Sequence, residues 1–285
     1  MKSINITVPQ GIGDIFWIYQ KLALSVGTIN LKVGVVSDDP LQFRSTEWMK
    51  ILPQVGKVEF EKMTGERYSE IANCKITTEQ LLEKAKAAPD AWHDFGMNKW
   101  LEDGVALDKI DDPERFPVDW NIPLPYLKRE LPRPHAVLYV TGSMHHAPAL
   151  KQGAWNTRKF TTCWEHCVEK LGLQGHQLII IGATYDLPVL AEARNLLQRF
   201  DPTIVCNDSP AAVMGIMKGA DFMLGFQSGM CILADHLNVR QLMIYYNHLK
   251  PLATAWPRPD NLENGKYNIA FFNDEPEIAA NQIAI

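Results

Sequence analysis

The chain has 285 residues, 46% of them hydrophobic, which is enough for one large or two small domains that each bury a core. A formal charge of −5 at pH 7 excludes a surface that is basic throughout, as a coat for nucleic acid or anionic membrane would need, and leaves room only for a local basic groove. No apolar run approaches the ~20 residues that span a bilayer; five scattered cysteines and no secretory leader argue against a disulfide framework and predict a protein of the reducing cytoplasm.

In chain order, residues 4–8 read as a strand, Pro9-Gln10-Gly11-Ile12-Gly13-Asp14 as a glycine turn, and 15–26 as an apolar-periodic helix. A strand at 31–36, a helix around 48–52 and a strand near 57–60 continue the alternation, which predicts a parallel sheet. From 90 to 134 the periodicity fades and prolines accumulate at 113, 117, 123, 125, 132 and 134, so the end of this stretch reads as a linker. A second series follows: strands at 136–140, 177–181, 203–205, 221–225 and 241–245, with helices at 160–171, 187–200, 210–218 and 230–236 between them. The reading is an α/β protein of two Rossmann-like, doubly wound parallel-sheet domains, residues 1–134 and 135–285. The tail at 275–285 is expected to form a short helix packing back on either domain.

Four strand-end segments carry candidate chemistry. In Gly11-Ile12-Gly13-Asp14 the glycines permit a tight turn and leave helix N-terminal N–H groups open to a substrate or anion. A dinucleotide fingerprint would want a third glycine at position 16, where Phe16 stands, so NAD binding is disfavoured. Asp14 reads either as a helix cap or as a catalytic carboxylate. Thr141, Gly142 and Ser143, followed by Lys151, Trp155, Arg158 and Lys159, bring hydroxyls and cations that suit phosphate oxygens, or a solvated loop face in the case of Arg158 and Lys159. The strand at 179–181 ends in Gly182, which either lets a nucleoside approach the backbone or makes a plain strand-to-helix turn. Gln227, Ser228, Gly229 and Met230 lie where a strand's carboxyl end meets a new helix. There the N–H groups of Ser228 and Gly229, with the Ser228 hydroxyl, suit a diphosphate, or Ser228 is simply the N-cap.

Taken in order, these segments resemble the heptosyltransferase-type GT-B glycosyltransferases. That family has an N-terminal Gly-x-Gly-Asp loop, matched by Gly11 to Asp14, and a Thr/Ser strand end followed by Trp, matched loosely by Thr141, Ser143 and Trp155. It has a strand ending in Gly, like Gly182, and a late Asp-Ser/Thr-Gly donor loop, whose place Gln227-Ser228-Gly229 takes. The family's Asp is Gln227 here, and the His that usually follows is absent from Met230-Cys231-Ile232. The resemblance covers most of residues 135–246 and implies two domains facing across a cleft. It also implies metal-independent, inverting transfer of a sugar from a nucleotide-sugar donor to an acceptor hydroxyl. Asp14 would be the base, with Gly11, Gly13 and Trp17 at the acceptor. The donor would be bound by Thr141, Gly142, Ser143, Lys151, Gly182, Gln227, Ser228, Gly229 and Met230. The acceptor is expected to be a glycan or a hydroxymethylated base in DNA, for which Lys128, Arg129, Arg133, Lys151, Arg158 and Lys159 would supply a basic stripe. No cofactor is expected beyond the nucleotide-diphosphate sugar as co-substrate.

Other motifs point elsewhere. Cys163 and Cys167 stand one helical turn apart without a second zinc-spaced pair and read as core. There is no Asp-x-Asp metal signature, no Gly-x-Ser-x-Gly elbow and no P-loop. His145-His146 reads as an exposed loop pair. Trp92, Trp100, Trp120 and Tyr126 would stack on a sugar or line a domain interface. Two rival functions remain: a catalytically inactive GT-B-like protein that binds a nucleotide sugar or glycan, and a nucleotide-sugar epimerase.

Overall fold

Strand β1 (Ser3–Pro9) alternates Ser3, Asn5 and Thr7 with Ile4, Ile6 and Val8, the period of a strand with one apolar face, and Ile4, Ile6 and Val8 are fully covered. The computed structural model describes residues 2–36, 45–74, 76–96, 124–129, 131, 134–141, 157–226, 228–245 and 258–271. The chain divides into two compact units, Met1–Pro125 and Tyr126–Ile285.

In the first unit β1 is followed by α1 (Ile12–Ala23), β2 (Thr28–Val35), α2 (Ser45–Lys50), β3 (Val55–Lys62), α3 (Gly65–Ala72), α4 (Thr78–Ala87) and β4 (His93–Asp94). The strands pair in parallel in the order β3-β2-β1-β4. The chain therefore winds outward through β2 and β3, then crosses back to the other side of β1. Ile15, Phe16, Ile18 and Leu22 of α1 and Ile29, Leu31 and Val33 of β2 are all buried, giving this sheet its core. At the outer edge β3 carries Lys57, Glu59, Glu61 and Lys62, with Glu61 paired to Lys32 at 3.4 Å, which discourages further strand pairing. Helix α1 begins at Ile12, so the glycine turn runs straight into the helix and Asp14 lies within its first turn. Helices α3 and α4 lie outside the sequence reading. Their caps were nonetheless legible: Thr64 accepts from Arg67 N at 3.2 Å, and Thr77 and Gln80 form a capping box.

The second unit contains β5 (His135–Tyr139), α5 (Thr157–Leu171), β6 (Gln177–Gly182), α6 (Leu187–Leu196), β7 (Thr203–Cys206), α7 (Pro210–Lys218), β8 (Phe222–Phe226), α8 (Gly229–His236), β9 (Gln241–Tyr245), α9 (Pro259–Glu263) and β10 (Tyr267–Phe271). Its six strands are parallel in the order β10-β9-β8-β5-β6-β7, with Leu138, Trp164, Leu178, Ile180, Phe222 and Leu224 in the core. Helix α6 stops at Leu196 rather than 200; a 3-10 turn, Gln198–Phe200, follows and Asp201 turns left-handed at φ 48°. Strand β10 was not expected. It extends the sheet because Asp235 at the end of α8 holds α9: Arg258 N donates to its carboxylate at 2.6 Å and Asn261 Nδ2 at 2.8 Å. Residues 126–129 ride on α7, where Leu127 N donates to Ala211 O at 2.9 Å. A Cβ at Gly215 would overlap the Leu127 carbonyl, so only glycine permits this approach. The tail at 275–285 lies outside the described residues.

Candidate functional site

Open parallel sheets bind ligands beyond the carboxyl ends of their strands, at the point where the strand order reverses. In the first unit that point lies between β1 and β4. The loop leaving β1 there is Gln10-Gly11, followed by the first turn of α1 with Gly13 and Asp14. Asp94, Phe95 and Gly96 leave β4 beside it, with Phe95 N donating to Thr7 O at 2.9 Å. The Asp14 carboxylate folds back over Gly11, so a side chain at position 11 would collide with it.

Asp14 keeps partial solvent exposure, yet protein surrounds it closely enough for burial to push its carboxyl up to about 6. A hydrogen-bonded cap would be pulled the other way. Among the described residues no hydrogen bond or ion pair reaches this carboxylate, which removes the basis for reading it as a plain cap. It is mostly ionised at neutral pH, with a higher proton affinity than an ordinary carboxylate. From α3, Tyr68 Oη donates to the Gln10 carbonyl at 3.2 Å. Burial and, second, the charge of Asp14 push the Tyr68 phenol up to about 12. The neighbouring Arg67 forks onto Asp94 at 2.8 and 2.7 Å and also reaches Glu70 at 3.3 Å.

In the second unit the order reverses between β5 and β8. Beyond β5 stands Thr141, 1% exposed, whose Oγ1 has no hydrogen-bond partner among the described residues. Position 141 lies two residues past Tyr139, the last residue of β5. Tyr139 and Cys231 of α8 both crowd the missing side chain of Gly225, so α8 covers the sheet face at Tyr139. Beyond β8, Ser228 is the extended N-cap of α8, its Oγ accepting from Cys231 N at a long 3.5 Å. The N–H groups of Gly229 and Met230 open the helix, where anions are favoured by unpaired donors and by the helix dipole. Cys231 donates from Sγ to Phe226 O at 3.0 Å, and burial pushes its thiol up to about 12, so it is a structural thiol here.

Two predicted residues have other duties. Trp17 was expected at the acceptor, but at 1% exposure it has no surface to offer and belongs to the core of the first unit. The missing Cβ of Gly182 is directed at Leu190 Cδ1, 2.9 Å away, and at Asp186. Close packing of α6, rather than a nucleoside, therefore explains why glycine stands there. The loop after Gly182 is also closed on itself: Asn207, left-handed at φ 60°, accepts from Thr184 N at 3.1 Å and donates to the Thr184 hydroxyl. Met230 is buried, so any ligand contact at that position runs through its backbone. Gly142, Ser143, Lys151 and Gln227 lie outside the described residues, as do His145, His146, Trp100, Trp120 and Arg133. Trp92 sits at the amino end of β4, beneath Lys32 Nζ at 4.5 Å and away from Asp14. Cys163 and Cys167 are buried together in α5, as the core reading expected. Tyr68 was missed. Its contact with Gln10 spans 58 residues and leaves no local signature.

Two doubly wound parallel sheets, each with its reversal point set by a loop and a helix N-terminus, make this a two-domain Rossmann-like protein of the GT-B, heptosyltransferase-like fold. Among solved structures it is similar to the ADP-heptose LPS heptosyltransferase II of E. coli: 11% identity, TM-score 0.55, covering 99% of this chain and 97% of that one. It is also similar to MnaA of S. aureus solved with UDP: 12% identity, TM-score 0.50, covering 99% of this chain and 87% of that one. At such identities the likeness concerns the fold. No protein-family model and no curated protein matches the chain. Among the described residues no helix is long and apolar enough to cross a membrane, and no cluster of three or more His, Cys, Asp or Glu is placed to hold a metal.

Proposed function

We propose that this protein is a cytoplasmic glycosyltransferase that moves a sugar from a nucleoside-diphosphate sugar to an acceptor hydroxyl, with inversion. One observation carries the reading. The carboxylate singled out by the sequence stands at the reversal point of the first sheet, unpaired and with its proton affinity raised to about 6. A buried hydroxyl without a partner among the described residues and a helix N-terminus stand at the reversal point of the second. The resemblance to heptosyltransferases and the shared fold support the same reading.

In this mechanism Asp14 takes the proton of the acceptor hydroxyl as its oxygen forms a bond to the anomeric carbon. The anomeric bond to the diphosphate breaks on the opposite face, and the nucleoside diphosphate leaves with the electron pair. The N–H groups of Gly229 and Met230, the hydroxyls of Thr141 and Ser228, and Gly142, Ser143, Lys151 and Gln227 hold that diphosphate. Its negative charge is met by helix N-termini and Lys151 without a bound metal. Gly11 and Gly13 leave room for the acceptor beside Asp14.

A glycan is the favoured acceptor over a hydroxymethylated base in DNA. Of the proposed basic stripe, Arg129 is already paired with Asp208 at 3.3 Å. Steep loss of acceptor binding with salt would reverse that preference.

The test begins with a thermal-shift screen of nucleotide sugars, since a ligand of the native state raises its melting point. Transfer assays on Asp14→Asn follow. The variant is expected to lose on the order of a hundred-fold or more in turnover while still binding donor. Turnover of the native protein should rise with pH through about 6, as Asp14 loses its proton. Full turnover in the variant would refute the role of Asp14. Donor binding without transfer to any acceptor would make the protein a binding module, and isomerised donor without acceptor would make it an epimerase.

A further inference from the structure

Helix α3 reaches both loops at the reversal point of the first sheet through consecutive residues. Arg67 grips Asp94 at the end of β4 with two hydrogen bonds, and Tyr68 grips the Gln10 carbonyl, four residues before Asp14. The two contacts differ in kind. Arg67 and Asp94 satisfy each other, with Glu70 adding a third bond to the guanidinium. Tyr68 spends its proton on a backbone carbonyl and lies within electrostatic reach of Asp14.

We propose that Tyr68 is a positioning residue for Asp14: through the Gln10 carbonyl it locks the loop that aims the carboxylate and keeps water away from it. This rests on Asp14 as the base. A half-buried carboxylate with no hydrogen bond of its own among the described residues depends on its loop for orientation and for its limited contact with water. If the loop is free to move, the carboxylate turns toward water. The loop is vulnerable, because Gly11 contributes no side-chain packing and the start of α1 has no side-chain cap. No other charged group competes for the part among the described residues. From α3, Arg67 is engaged with Asp94 and Glu70; from β4, Asp94 is engaged with Arg67; on α1 itself Lys21 lies two turns on, buried beside Phe95. Tyr68 is the group on α3 that feels the charge of Asp14.

The test is a carboxyl-carbon NMR titration of Asp14 in the full chain, with hydrogen exchange of the amides at residues 11–14, for the native protein, Tyr68→Phe and Tyr68→Ala. The native midpoint should lie near 6. Tyr68→Phe keeps the ring and removes only the bond to Gln10. It should lower the midpoint by roughly half a unit or more and speed exchange roughly ten-fold, as the loop opens to water. The acid limb of the turnover profile should move down by the same amount. Tyr68→Ala should lower the midpoint further; if it fails to fold, Tyr68→Phe decides alone. A native midpoint near 4 would defeat the reading of Asp14 itself. A native midpoint near 6 that Tyr68→Phe leaves unmoved, with exchange unchanged, would defeat only the role of Tyr68.

Discussion

Replacing Asp14 with Asn should make the protein more stable at neutral pH. Burial raises the carboxyl from 3.8 to about 6. A group raised in the fold costs nothing below its unfolded value; the cost grows as pH rises and is complete above the folded value. A shift of about two units corresponds to about 3 kcal/mol, an upper figure because the side chain keeps some exposure to water. Asparagine has the shape of the neutral acid and carries no charge to bury. Urea unfolding at pH 8 should therefore show Asp14→Asn more stable by up to about 3 kcal/mol, with the gain falling to about 0.5 kcal/mol at pH 4. An equal effect at both pH values, or a variant less stable at pH 8, would refute the claim that the fold holds this carboxylate at a cost. Stability gained where activity is lost is the usual mark of a functional group kept in an unfavourable place.

Three further outcomes follow from packing and hydrogen bonding. Thr141→Val removes a buried hydroxyl that has no partner among the described residues. It should raise stability without ligand by about 1 kcal/mol and weaken nucleotide binding by roughly five-fold, measured by calorimetry; unchanged nucleotide affinity would move Thr141 from the donor site to the core. Gly215→Ala should cost about 1–3 kcal/mol in denaturant, because its new methyl group meets the Leu127 carbonyl. Helix propensity alone predicts a gain of about 1 kcal/mol, so the sign of the measured change decides. Asp235→Ala strands the N–H of Arg258 and leaves the Asn261 amide with only its bond to the carbonyl of residue 235. A loss of about 2–4 kcal/mol is expected, and hydrogen exchange should rise in α9 and β10; an unaltered exchange pattern there would contradict the anchoring role.

What the sequence shows and what it hides divide by range. Glycines between an apolar strand and an amphipathic helix mark a sheet's carboxyl edge locally, so the loops at Asp14 and Ser228 could be read directly. Five of the six strands of the regular second half could be read to within a residue or two for the same reason, β10 being the exception. The resemblance implied Trp17 at the acceptor, but consecutive buried residues from Ile15 to Leu22 show α1 covered on every side. Gly182 looked like a ligand's approach because a glycine ends a strand there; only the position of Leu190 explains it. Tyr68 and the Leu127–Gly215 contact depend on pairs far apart in the chain, which no periodicity announces. Helices α3 and α4 lacked a strong apolar stripe, and only their caps could have given them away.

Each sheet starts in its interior: β1 and β5, the earliest strands of their units, have neighbours on both sides. During synthesis, most later strands emerge to find a partner already laid down, one crossover behind them. Two steps differ: β4 must return to β1, and β8 to β5, across everything made in between. These closures join residues far apart in the chain and carry the largest loop-closure cost, so they should set the pace of folding. They are also the two closures that create the reversal points, so neither reversal point exists until the slowest step of its own domain is complete.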